Sequence, residues 1–62
     1  MNAKVYDVWK KMKSIAKNGT GIYHCADTAD KHCVYELMNA GFITVSWETS
    51  LDAVFHIVGE TD

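Results

Sequence analysis

The 62-residue chain contains no arginine and no proline, only two cysteines, and no apolar run long enough to cross a bilayer. Without arginine there is no planar fork to grip phosphate or read guanine bidentately, so every cation is a lysine point charge. Two cysteines are too few for the disulfide framework of a small secreted domain. The longest apolar stretch outside helical patterning, residues 53–58, is interrupted by His56 and falls far short of the roughly 20 residues a spanning helix needs. No charged-then-apolar leader opens the chain. Together these absences give the expectation of a soluble, cytoplasmic protein with reduced thiols.

What is present argues for a folded domain. Hydrophobic residues make up 48% of the chain, with two Trp, three Tyr and two Phe, unlike the polar composition of a disordered segment. The expectation is a single small α+β domain over residues 1–62. A chain of this size buries only ~60% of the surface its unfolded form exposes, so a partner or staple would add usefully to its stability.

The net charge of −2 is unevenly distributed. Lys4, Lys10, Lys11, Lys13, Lys17 and Lys31 all precede His32, whereas Glu36, Glu48, Asp52, Glu60 and Asp62 follow it with no cation among them. That split implies one basic and one acidic surface.

Over residues 3–17, Val5, Val8, Trp9, Met12, Ile15 and Ala16 recur on one helical stripe, with Lys10, Lys13 and Lys17 opposite. Asn18-Gly19 reads as the left-handed stop of that helix. Gly21-Ile22-Tyr23-His24 is a short β-leaning segment, a candidate edge strand. A second helix starts from an Asp27 or Thr28 cap, carries Cys33, Val34, Leu37 and Met38 on a face that Tyr35 widens, and stops at Gly41. Two strands follow, near 42–47 and 53–58, joined by Glu48–Asp52. Alternation puts Ile43, Val45 and Trp47 on one face, with Phe42, Thr44 and Ser46 on the other. In the last strand Ala53, Phe55 and Ile57 share one face and Val54, His56 and Val58 the other. The order expected is α-β-α-β-β, two helices packed on a two- to three-stranded antiparallel sheet. Nothing obvious in the chain covers the second face of the last strand.

The stretch Cys33-Val34-Tyr35-Glu36-Leu37-Met38-Asn39-Ala40-Gly41-Phe42-Ile43, followed by a hairpin, resembles the end of a winged helix-turn-helix domain. There a recognition helix closes in a Leu-x-x-x-Gly-Leu/Phe-Ile turn and runs into a two-stranded wing; the resemblance covers about residues 28–58. It implies duplex DNA as partner. The chain departs from the family in having only about ten residues between Tyr23 and Val34, too few for an additional helix at ~1.5 Å per residue plus its turns. Asp30, Lys31, His32, Glu36 and Asn39 occupy the exposed helix positions, and Glu48 and Asp52 the wing tip, where phosphate contact calls for cations.

His24-Cys25 and His32-Cys33 form the best candidate for a metal site, because zinc takes two thiolates and two imidazoles tetrahedrally. In a continuous helix Cys25 and Cys33 would start ~12 Å apart, so residues 24–27 would have to fold back over the helix start. The plainer reading makes Cys33 a small core residue and the histidines surface polars. A cysteine nucleophile with His24, His32 or His56 as base lacks an evident cleft. Trp9 belongs to the helix stripe and is expected in the core; Trp47 is a core residue or an interface anchor.

The function expected is non-enzymatic binding of a protein, as an accessory, inhibitory or regulatory factor of the kind that phages and mobile elements also carry. The contact residues expected are Val54, His56 and Val58, with Glu48 and Asp52 at the loop, and a second copy of the chain is one candidate partner. The alternative is a winged-helix-like DNA-binding regulator using Lys10, Lys11, Lys13 and Lys17. A zinc-stapled module through His24, Cys25, His32 and Cys33 is a third reading; otherwise no cofactor is expected.

Overall fold

The computed structural model describes residues 2–59, so Met1 and the acids Glu60 and Asp62 lie outside the described residues. The elements are α1 (Ala3–Ile15), β1 (Thr20–His24), α2 (Thr28–Asn39), β2 (Ile43–Trp47) and β3 (Asp52–Ile57), the expected α-β-α-β-β order. The three strands form one antiparallel sheet in the order β1-β3-β2, so β3, from the end of the chain, is the central strand.

Helix α1 starts where the Asn2 side chain accepts the Val5 N–H at 2.9 Å. It buries Val5, Val8, Trp9 and Met12. It ends earlier than its apolar stripe suggests: Ala16 is already extended, and Ile15 remains 45% exposed at the margin of the buried face. Asn18-Gly19 is therefore not the helix stop. Lys17 and Thr20 exchange backbone hydrogen bonds at 2.8 and 3.1 Å, and Asn18 and Gly19 take φ of 55° and 78° between them. That is the two-residue turn with both central residues left-handed that Asn-Gly favours, and it feeds directly into β1.

Helix α2 follows its sequence signals at both ends. The Asp27 carboxylate accepts the Asp30 N–H at 2.9 Å, and the Asp30 carboxylate reaches back to the Ala26 N–H at 2.9 Å. This is a short-armed version of the reciprocal capping arrangement. At the other end Gly41, with φ 84°, donates to the Met38 carbonyl while Phe42 donates to the Leu37 carbonyl, the paired bonds of a Schellman stop.

Both helices pack on the same side of the sheet, α1 against β1 and α2 and α2 against β2. The layer between holds Trp9, Met12, Val8, Val34 and Leu37 from the helices and Tyr23, Ile43, Ala53 and Phe55 from the strands. The alternation expected for β2 and β3 is thus the one observed, except at Phe42. That residue precedes β2 and stacks on Trp9, ring centroids 5.3 Å apart, instead of joining the opposite face. No buried side chain among the described residues is polar or charged, so the core needs no internal polar network.

Candidate functional site: the open face of the sheet

With both helices on one side, the other side of the sheet is open. Alternation along three strands decides what it shows. From β1 come Thr20, Ile22 and His24; from β3, Asp52, Val54 and His56; from β2, Thr44 and Ser46. The register sets them in rows: Thr20–His56–Thr44, then Ile22–Val54–Ser46, then His24–Asp52. Ile22 is 58% exposed, the most exposed large apolar residue among those described, and it lies directly beside Val54.

Polar contacts tie down both ends of this apolar centre. The Thr20 hydroxyl lies 3.0 Å from His56 Nδ1. At the opposite end His24 Nδ1 bonds Asp52 Oδ1 across the β1–β3 pair. The Thr49 hydroxyl donates to the other Asp52 oxygen at 2.8 Å and accepts the Asp52 N–H at 3.1 Å. Hydrogen bonding from His24 first, and then from Thr49, holds the Asp52 carboxyl below its ordinary range. Between the rows lies a shallow open concavity of about 290 Å³, bordered by Thr20, Thr44, Ser46, Val54 and His56. The face carries no lysine.

The residues expected to make contacts separate here. Val54 and His56 stand on the open face. Asp52 does as well, but as the first residue of β3 and not as part of the loop, because it pairs with His24. Glu48 lies in the connection between β2 and β3, its N–H bonded to the Asp52 carbonyl at 2.9 Å. Val58 follows the end of β3 and is 57% exposed. Thr20, Ile22 and His24 were not foreseen as contact residues. Their signal was the strand assignment of 21–24 combined with an inward Tyr23, which forces its neighbours outward.

The His/Cys pairs do not assemble. Cys25 and Cys33 are both buried in the core, whereas His24 is on the open sheet face and His32 is exposed on α2. Among the described residues no three His, Cys, Asp or Glu side chains converge on one point. Burial pushes both thiols above their ordinary range, which suppresses the reactive thiolate.

The lysines divide as well. Lys10 and Lys13 lean over aromatic rings, Lys10 over Tyr6 at 5.5 Å and Lys13 over Trp9 at 5.1 Å. Lys11 and Lys17 are exposed. One residue along a helix turns about 100°, so Lys11 does not share the Lys10–Lys13 side. A second hollow, about 260 Å³, opens between α1 and α2 beside Val5, Glu36, Leu37, Ala40 and Phe42.

No described helix is long and apolar enough to cross a membrane. Comparison with family models, with curated proteins and with solved structures found no match.

Proposed function

We propose that the chain is a non-enzymatic binding domain whose partner is a protein, held against the open face of the sheet. The observation that carries this is the Ile22–Val54 pair at the middle of the face, Ile22 exposed and Val54 half-buried beside it, bracketed by Thr20–His56 and His24–Asp52. An apolar centre with a hydrogen-bonding rim is the arrangement protein interfaces use. The absence of lysine from this face directs the proposal away from phosphate-bearing partners. An accessory or inhibitory factor working by occupation of a surface on its target needs no more than such a face.

Val54→Asp tests the reading. The outward position lets the charge reach solvent in the free domain, so the fold is retained, while a carboxylate at the centre of an interface is strongly unfavourable. Loss of the partner from a variant with unchanged circular dichroism supports the proposal; a folded variant that keeps every partner refutes it.

A second reading, a winged-helix-like regulator using Lys10, Lys11, Lys13 and Lys17, draws on the exposure of Lys10, Lys11 and Lys17; Lys13 is half-buried, and none of the four makes an ion pair with a described acid. It requires salt-sensitive binding to duplex DNA that weakens when these lysines are replaced. No binding to random duplex at low salt would eliminate it.

A further inference from the structure

The two edges of the sheet are not equivalent. In an antiparallel ladder, residues alternate between bonding their partner strand and turning their N–H and C=O away from it. Between β2 and β3, the bonds Glu48 N–H to Asp52 O and Val58 N–H to Phe42 O fix the phase. Thr44 and Ser46 therefore bond β3, and Ile43, Val45 and Trp47 turn their backbone groups outward. Between β1 and β3, the bonds Ile57 N–H to Gly19 O and Cys25 N–H to Leu51 O set the opposite edge. There Thr20, Ile22 and His24 turn outward, but the Lys17–Thr20 turn already occupies the Thr20 groups.

β2 is thus the longer unprotected edge. No described backbone or side-chain group bonds Ile43, Val45 or Trp47 on their outward side. The strand contains no charge and no proline, the devices by which edges are normally blunted. On the helix side of the same edge, Val45 and Trp47 are only half-buried. Tyr35 is 42% exposed there, its ring 5.6 Å from that of Trp47. Lys31 covers part of the pair, its ammonium 4.7 Å from the Trp47 ring centroid, so an unpaired strand edge adjoins an aromatic pair that is only partly covered.

We infer that this edge adds the β2 strand of a second copy of the chain, antiparallel about a two-fold axis at Val45. The register is self-complementary. Val45 meets Val45 of the other copy, and Ile43 of each meets Trp47 of the other, so the outward groups of all three residues find partners on both sides. The uncharged edge meets no like charge in its copy, and Ile43 extends the apolar layer beside Trp47. The product is a six-stranded sheet with both open faces on the same side. This goes beyond the open-face proposal and does not depend on it.

The test is amide hydrogen exchange on the full chain at low and high concentration, beside its solution mass by light scattering. The mass is expected to approach twice 7.0 kDa as concentration rises. The Val45 and Trp47 amides should gain protection in step with it, while Thr44 and Ser46, bonded within one copy, are protected throughout. Val45→Pro removes an outward N–H without removing a bond to β3, and should abolish the dimer while leaving partner binding at the open face. A chain that stays monomeric up to about 1 mM overturns the inference. So does a dimer in which the Val45 amide exchanges freely, or one lost in Val54→Asp but retained in a folded Val45→Pro. Protection of Val45 only when a different protein is added also overturns it, since the occupant would then be a heterologous strand.

Discussion

Gly21 in β1 and Phe55 in β3 are direct partners across the sheet, and the Phe55 ring occupies the space a side chain at position 21 would need. A Cβ there would stand 3.1 Å from the ring edge and 3.5 Å from the Ala16 Cα. The glycine is what lets α1, its exit segment and β1 close over Phe55. Gly21→Ala is expected to destabilise the domain by about 1–3 kcal/mol, the usual cost of overpacking. Phe55→Ala, which empties the same site, should cost about 3–5 kcal/mol. Urea denaturation measures both; Gly21→Ala at wild-type stability would show that the contact is not tight.

Asp52 links stability to acid. Its carboxyl is held low by His24 and then Thr49, so the folded state favours the ionised form. That contribution is complete above the unfolded carboxylate pKa of about 3.9 and is lost as pH falls through the lower folded value. Asp52→Asn lacks it. The stability gap between wild type and Asp52→Asn, taken from urea midpoints, should therefore be wider at about pH 6 than at about pH 2.5. An equal gap at both would contradict the linkage.

Tyr23 acts at the other end of the pH scale. Burial, and then the Asp30 carboxylate that accepts its hydroxyl at 3.4 Å, raise it to about 12. Between the unfolded value of about 10 and that folded value the unfolded chain holds fewer protons, so stability falls as pH rises. Tyr23→Phe removes this alkaline loss, at the expense of the bond to Asp30. Thermal melts of the two proteins between about pH 9 and 11 should show the wild type declining more steeply. Parallel decline would place the Tyr23 hydroxyl in a more open environment than the fold shows.

Much of this fold is local enough to be legible in sequence. The cap at Asp27, the stop at Gly41 and the alternation in β2 and β3 all depend on residues within a few positions of one another, and all appear where the pattern puts them. Asn18-Gly19 is ambiguous in sequence because a helix stop and a tight two-residue turn demand the same left-handed backbone. Only the Lys17–Thr20 bonds distinguish them. Phe42 departs from the expected face because strand alternation does not extend into the turn that precedes β2.

The candidate site was half legible for a related reason. Val54 and His56 follow from alternation within one strand. Their neighbours Thr20 and Ile22 reach them only when β1 docks on β3, a pairing that joins Thr20 to a residue 36 positions away. Hydrophobic period cannot specify such a contact. The split of the His/Cys pairs has a similar origin. Cys25 and Cys33 turn into the core, while His24 follows the outward phase of β1.

Protein binding at the open face is proposed to run through Ile22 and Val54. Affinity capture from the source cell, run in parallel with wild type and folded Val54→Asp and with captured masses identified, tests it most directly. One protein is expected to be retained by wild type and lost from Val54→Asp. The same protein retained equally by both would contradict it.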